Sequence, residues 1–406
     1  MINFQDAFRI ITTLSPLEKK IKSISIYQSQ GYILAQDIHS RRPLPPFTHS
    51  AMDGYALHST QKPPFKITDT ILAGTDASKY TLHPQEALRI MTGAMLPNCA
   101  DCVVPFENAQ IKDSLLTPLI SLKKGQNIRY EGEELKSGEL IAKAGDELDF
   151  RLLGILASQG FSEISVFEKL KIGIFSSGNE VQELGSPIKD YQVYNINAVA
   201  ILSLLHSFGF DCHYLGVLKD DKNLENELLS QCQKYDILIT SGGASVGDAD
   251  LFYQVLQKNH AKILFNKINL KPGKPFMLAS LQNTYLYCLP GNPLSAISNL
   301  LSLVLPSLKY LSYSRFFYPK TITAHLDTPL YFKAKRTHIL QGFYHDSVFS
   351  PHQNGKINAN AFSTFHQCNA FAIFDEQRDH LEAGSKIRIL PYRLNFDFLD
   401  SSPINL

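Results

Sequence analysis

Residues 235–250 read YDILITSGGASVGDAD, and residues 285–295 read YLYCLPGNPLS. In the first stretch an apolar strand enters a loop of glycine and serine, and an acidic helix start follows. In the second, another apolar strand enters a Leu-Pro-Gly-Asn-Pro turn. Open α/β sheets hold ligands, often phosphorylated ones, in the loops that follow their strand ends. Both stretches therefore predict an α/β ligand-binding domain.

The region around these stretches, from about residue 170 to 315, alternates strands and helices. This alternation predicts right-handed βαβ units and a mostly parallel sheet. The predicted strands are 170–178, 211–218, 235–243 and 284–291, and the predicted helices are 197–208, 223–234, 248–259 and 293–311.

The flanking regions have a different character. Apolar residues at helical spacing, from Phe4 to Ile24, predict a helical start, which the proline-rich segment RRPLPPFTHSAMDGYAL (41–57) ends. Short strands between about 60 and 150 predict a β-rich lobe, which a helix at 150–160 follows. The last 90 residues carry strand-like runs and predict a separate β domain.

The composition excludes several classes of protein. The chain has 406 residues and a formal net charge of +1, so it has no broad basic surface for nucleic acid. Its first ten residues lack a signal-peptide core, and no apolar run reaches the roughly 18 residues of a membrane span. We expect a soluble, cytoplasmic protein that binds neither nucleic acid nor membrane.

Three carboxylates follow predicted strand ends, namely Glu180, Asp220 and Asp250. Because the carboxyl ends of parallel strands share one edge of a sheet, these acids are expected to converge. Acids beside phosphate-binding loops are typical of a magnesium site. Each acid taken alone is more readily interpreted as a solvated surface residue or a helix cap.

The loops themselves offer groups that suit an anion. Gly242 and Gly243 let the backbone approach a ligand, although ordinary strand-to-helix turns also favour glycine. Lys271 and Lys274 flank Pro-Gly and suit an oxyanion, with a solvated loop as the alternative. Pro293 fits the first helical position, with the preceding asparagine as N-cap. The alternative is that this turn only starts a helix and binds no ligand.

Seven segments occur in an order that resembles the MoeA family of molybdopterin molybdenumtransferases, which includes the E domain of gephyrin. They are PPFTHSAMDGYAL (45–57), RIMTGAMLP (89–97), GQNIRYEGEEL (125–135), FSSGNE (175–180), SGGASVGDAD (241–250), KPGKPF (271–276) and LPGNPLSA (289–296). The resemblance covers essentially the whole chain and is densest from about 43 to 300.

The resemblance implies a multidomain α/β fold with a three-layer molybdopterin-binding domain. The implied domains are an elongated dimerisation domain (1–42 and 137–168), a β-rich inserted lobe (43–136), the α/β domain (169–316) and a C-terminal β-barrel (317–406). It also implies a homodimer whose active site lies between the α/β domain of one subunit and the lobe of the other.

The implied reaction inserts molybdenum from molybdate into adenylylated molybdopterin, with magnesium as cofactor and AMP as product. The implied partners are a molybdopterin adenylyltransferase upstream and apo-molybdoenzymes downstream. Two rival functions are a binding or scaffold protein that reuses the fold, and the adenylyltransferase itself. The complete set of acids argues against a scaffold as the sole function. The SAMDGYA lobe argues against the adenylyltransferase, which is essentially the α/β domain alone.

The resemblance carries over residue by residue. The expected catalytic set is Asp53, Glu134, Glu180, Asp220 and Asp250, with Glu180 and Asp250 as magnesium ligands. The expected substrate-binding set is Thr92, Ser241, Gly242, Gly243, Ser245, Gly247, Lys271, Lys274, Pro290, Gly291, Asn292, Pro293 and Ser295. One departure stands out in YNIN (194–197), because Asn195 stands where the family often carries an aspartate.

Overall fold

The computed structural model describes residues 1–18, 20–219, 221, 223–242, 251–333, 335–356 and 362–392. The helices within these ranges are Phe4–Ile11, Phe150–Ser158, Ile196–Ser207, Leu224–Cys232, Leu251–Lys258, Pro293–Asn299, Leu305–Leu311 and Ser363–Gln367. The π-helical turn Leu300–Val304 joins Pro293–Asn299 to Leu305–Leu311, beside Pro306, which has no N–H to donate to the preceding turn.

A six-stranded sheet, here called the central sheet, forms the α/β region. Its first three neighbouring pairs are parallel and its last two are antiparallel, so the prediction of a mostly parallel sheet is confirmed. The order across the sheet is Asp211–Leu218, Lys171–Ser177, Ile237–Ser241, Thr284–Leu289, Met277–Leu281 and Lys262–Phe265.

The helices cover both faces of the central sheet and create two apolar cores. One core holds the helix Ile196–Ser207 and the helical run Pro293–Leu311, and the other holds Leu224–Cys232 and Leu251–Lys258. The helical run is long and apolar enough to span a membrane (mean hydropathy 1.3), but 83% of that window is buried in the fold. It is a core element of this domain.

The start of the chain differs from the prediction. Among the described residues before residue 40, Phe4–Ile11 is the one α-helix, and Ile21–Ser25 is a strand that pairs antiparallel with Glu163–Phe167. Pro16 interrupts the helical pattern, and the sequence IKSIS alternates apolar and polar residues as a strand does. The first helix packs into the central core through the buried side chains of Ala7 and Ile11.

A second six-stranded sheet forms the β-rich lobe. Its order is Cys102–Pro105, Gly54–Leu57, Glu86–Ile90, Phe65–Ile71, Leu115–Pro118 and Ala109–Lys112. Two short antiparallel pairs join the segment that enters this sheet to the segment that leaves it. They are Ile38–His39 with Leu140–Ala142 and His49–Ser50 with Ile128–Arg129.

A barrel forms the C-terminal region. Its strands close in the circular order Thr337–His345, Val348–Pro351, Ile322–Leu326, Lys386–Pro391 and Ala370–Phe374, which confirms the predicted barrel. The two-residue strand Leu270–Lys271 extends from the α/β region and pairs with Thr337–His345. The KPGK segment therefore lies where the α/β region meets the barrel.

Candidate active site

Three loops meet at the carboxyl edge of the central sheet. The N–H of Gly242 donates to the carbonyl oxygen of Leu289 at 3.0 Å. Gly242 has a φ of +98°, and a Cβ there would lie 2.4 Å from the carbonyl oxygen of Ser177. Only glycine fits this position, and it brings the ends of three parallel strands into contact.

Asn197 ties two of these loops together. Its Nδ2 donates to Ser241 Oγ at 2.6 Å and to the carbonyl oxygen of Gly291 at 2.7 Å, while its buried Oδ1 has no partner among the described residues. Ser241 and Gly291 were expected in the substrate-binding set, whereas Asn197 was not. An asparagine in the first helical turn has the sequence signature of a cap, which conceals its role as a bridge.

The helix that begins at Pro293 presents its amino end at the same edge. Asn292 is the N-cap, as predicted, but its side chain makes no capping hydrogen bond and is exposed. Pro290 and Ser295 are buried behind this turn. The first N–H groups of the helix and the Asn292 amide are thus placed where an anionic ligand can use them.

The KPGK segment lies against that helix. Asn299 Nδ2 donates to the carbonyl oxygen of Gly273 at 3.1 Å, and a Cβ on Gly273 would lie 2.4 Å from Asn299 Oδ1. Lys271 and Lys274 are both exposed. Burial lowers the pKa of His338 on the neighbouring barrel strand, and the charge of Lys271 lowers it further.

Glu180 is the expected acid of this edge that lies within the described residues. Its carboxylate is exposed and folds over Gly178, where a Cβ would lie 2.7 Å from either oxygen. Within the described ranges it has no hydrogen bond or ion pair, so both oxygens can serve as ligands. The other predicted residues of this edge, Asp220, Gly243, Ser245, Gly247 and Asp250, lie outside the described residues.

The remaining predicted residues lie in the β-rich lobe. Asp53 Oδ1 accepts from the N–H of Thr92 at 2.7 Å and from its hydroxyl at 2.8 Å, and these two bonds lower the pKa of Asp53. Glu134 is exposed and pairs with Arg129. Across the described part of the chain, no hydrogen bond or ion pair joins these three residues to the carboxyl edge.

The opposite edge of the central sheet carries a cavity of about 570 Å³. Its lining mixes the cations Lys20, Lys171 and Lys234 with the acids Glu18 and Asp236. Asp236 already accepts from the backbone N–H of Lys171 at 2.8 Å. This lining has no marked excess of either charge, and ligands of such sheets bind at the carboxyl ends of the strands.

Comparison with known proteins decides the family. Residues 2–160 match the family described as MoeA N-terminal region (domain I and II), and residues 173–310 match the probable molybdopterin binding domain. The chain is 32% identical to a molybdopterin molybdenumtransferase of Haemophilus influenzae, over 93% of this chain and 95% of that protein. It belongs to the MoeA family. It is therefore an enzyme of molybdenum cofactor biosynthesis, a molybdopterin molybdenumtransferase.

Other members of the MoeA family are similar to this chain in sequence and in fold. A molybdopterin molybdenumtransferase of Staphylococcus aureus (strain COL) is 31% identical over 75% of this chain and 74% of that protein. A crystal structure of a molybdopterin biosynthesis MoeA protein from Pyrococcus horikosii superposes with a TM-score of 0.77 and 26% identity. That superposition covers 96% of this chain and 99% of the other, so the fold is shared throughout.

Proposed function

We propose that this enzyme transfers molybdenum from molybdate to adenylylated molybdopterin at the carboxyl edge of the central sheet, with magnesium-dependent release of AMP. The observation that carries the proposal is the joining of three strand-end loops by Gly242 and Asn197. These loops bring backbone N–H groups and two motifs of the family to one edge.

The substrates suit the groups found there. Adenylylated molybdopterin carries phosphate and pyrophosphate groups, and molybdate is a dianion. We assign these oxyanions to the amino end of the helix at Pro293, the exposed Asn292 amide, and the exposed ammonium groups of Lys271 and Lys274. Donors and cations held by glycine and proline turns need little reorganisation when such a ligand binds.

Magnesium would bind to Glu180 and, in our proposal, to Asp250. An exposed carboxylate without a protein partner is the hard oxygen ligand that magnesium favours. No group of three or more His, Cys, Asp or Glu side chains in the described ranges could hold a metal by itself, so substrate oxygens would complete the coordination. When bound, the ion would polarise the pyrophosphate and stabilise the leaving AMP.

The lobe residues Asp53, Thr92 and Glu134 would complete the site from the second subunit of a homodimer. Within one chain they have no described bond to the carboxyl edge, although all three match family positions. The helix Phe150–Ser158 supports an interface in the proposed dimerisation domain (1–42 and 137–168), because Phe150 is 74% exposed. Aromatic side chains are enriched at the cores of protein interfaces, so this position fits a surface that a partner covers.

Subunit complementation tests this arrangement. Neither an Asp53→Ala nor a Glu180→Ala homodimer should be active, but a heterodimer of the two should recover about half of the wild-type rate, because one of its two symmetric sites is intact. Co-expression with two different tags and tandem purification provides the heterodimer. No recovery in a folded heterodimer would show that one chain builds each site alone.

Single-turnover AMP release from adenylylated molybdopterin tests the reaction itself. We expect release that requires both magnesium and molybdate and leaves molybdenum on the bound product. Chelating magnesium should reduce the rate by at least about 100-fold, since Lewis-acid assistance contributes several kcal/mol. Tight binding without turnover would indicate a scaffold, and AMP addition instead of release would indicate an adenylyltransferase.

The lobe would span 43–136, the α/β domain 169–316 and the barrel domain 317–406. We place the enzyme in the cytoplasm, between an adenylyltransferase that supplies its substrate and the apo-molybdoenzymes that receive its product.

A further inference from the structure

A loop of residues 180–195, here called the rim loop, leaves the carboxyl edge at Glu180 and returns to the helix Ile196–Ser207. Two backbone bonds close its base. The N–H of Val193 donates to the carbonyl oxygen of Glu180 at 2.9 Å, and the N–H of Asn195 donates to that of Gln182 at 3.0 Å. The conformation of Glu180 therefore depends on how firmly this base is held.

Asn195, the departure from the family pattern, lies at the end of the rim loop and is only 3% exposed. Its Oδ1 accepts from Ser176 Oγ at 2.7 Å and from the N–H of Ala198 at 3.2 Å. Its Nδ2 donates to the hydroxyl of Tyr214 at 2.7 Å. Tyr214 lies on the edge strand Asp211–Leu218 of the central sheet.

The same hydroxyl binds the start of the rim loop. Tyr214 OH donates to Glu183 Oε1 at 2.6 Å. Burial and the bond to Glu183 raise the pKa of Tyr214, so the hydroxyl stays protonated at neutral pH. Only one assignment of donors and acceptors is possible, because a carboxylate can only accept and the hydroxyl has one proton. The Asn195 amide donates to the Tyr214 hydroxyl, and that hydroxyl donates to Glu183. An ionised aspartate at position 195 could not donate to Tyr214, so asparagine is the residue that this network requires.

We propose that Tyr214 is a positioning residue for Glu180: by joining Glu183 to Asn195 it closes the rim loop and fixes the backbone from which Glu180 projects. This inference rests on the proposed function of Glu180 as a magnesium ligand. Residues that orient a ligand typically change metal affinity by about 10- to 100-fold when they are removed.

Tyr214→Phe tests the proposal because it removes the hydroxyl and leaves the ring in the sheet. We expect the amides of Val193 and Asn195 to exchange hydrogen about tenfold faster, since the part-buried bond to Asn195 and the exposed bond to Glu183 are both lost. We expect the magnesium concentration for half-maximal AMP release to rise about tenfold, with the rate at saturating magnesium within about twofold of wild type. Hydrogen exchange by mass spectrometry, without metal or substrate, gives the first readout.

Two further variants serve as controls. Tyr194→Phe removes a hydroxyl whose described hydrogen bond stays within the rim loop, to the carbonyl oxygen of Ser186 at 3.1 Å, and it should change neither readout. Glu183→Gln keeps an acceptor for Tyr214 and should behave nearly as wild type, whereas Glu183→Ala should match Tyr214→Phe.

Two results for Tyr214→Phe would overturn the proposal. One is unchanged exchange in the rim loop, and the other is faster exchange with an unchanged magnesium requirement. Failure of the proposed function would be seen elsewhere, as an unchanged magnesium requirement in Glu180→Ala. The two failures are therefore distinguishable.

Discussion

Glu180→Ala should lower the single-turnover rate of AMP release by at least about 100-fold, because a metal ligand contributes several kcal/mol to the stabilisation of the transition state. The carboxylate of Glu180 is exposed and has no described protein partner, so its removal breaks no contact of the fold. The thermal unfolding temperature should therefore stay close to that of the wild type.

Asp190→Ala provides the matched control. Asp190 is a second exposed acid of the rim loop, it also has no described hydrogen bond or ion pair, and it lies away from the closed base. It should keep the wild-type rate. A near wild-type rate in Glu180→Ala at limiting magnesium would show that Glu180 is not a magnesium ligand.

Gly54→Ala should unfold the β-rich lobe or destabilise it by more than about 3 kcal/mol, because a new methyl group would overlap the backbone. A Cβ on Gly54 would lie 2.1 Å from the carbonyl oxygen of Val104 and 2.8 Å from its carbonyl carbon. These atoms belong to the neighbouring strand Cys102–Pro105, which cannot move without breaking its ladder with Gly54–Leu57. Chemical denaturation, followed by lobe-specific hydrogen exchange, measures the change.

Gly154→Ala is the control for this substitution. Gly154 lies in the helix Phe150–Ser158, and a Cβ there would meet nothing within 4 Å. Alanine should stabilise this helix by about 0.5–1 kcal/mol, since it restricts the unfolded chain and favours the helix. An equally small change in the free energy of unfolding for both substitutions would contradict this prediction. It would show that the backbone at Val104 can shift at little cost.

The α/β region could be predicted closely from the sequence. The strand Asp211–Leu218 was predicted with the bounds that the structure shows, and the helical run that begins at Pro293 was predicted to start and end where it does. Long apolar runs bounded by polar residues, glycine or proline define such elements locally. The strands Lys262–Phe265 and Met277–Leu281 were missed, because they form short antiparallel pairs that depart from the strand–helix alternation used to predict the other strands.

The start of the chain was misread because its strand pairs with a distant part of the sequence. Ile21–Ser25 becomes a strand because its partner Glu163–Phe167 lies about 140 residues later, and local spacing cannot reveal that pairing. Asn197 was missed as a bridging residue of the site, since an amide near a helix start resembles a cap. Asn299 was missed because it lies inside an apolar helical run, where nothing in the local sequence indicates its hydrogen bond to Gly273. The roles of Asp220 and Asp250 stay predictions of the sequence, as both lie outside the described residues.

The packing of the first helix against the central core has a consequence for synthesis. Ser307 Oγ donates to the carbonyl oxygen of Ile11 at 3.2 Å, and Tyr285 OH donates to that of Ser15 at 2.8 Å. At about 5–20 residues per second, the ribosome needs roughly 15–60 s to make the residues between such partners. During that time the apolar face of the nascent helix has no native cover. The β-rich lobe, whose strands all lie between residues 54 and 118, can form meanwhile. The first helix is thus synthesised well before the residues that complete its native packing.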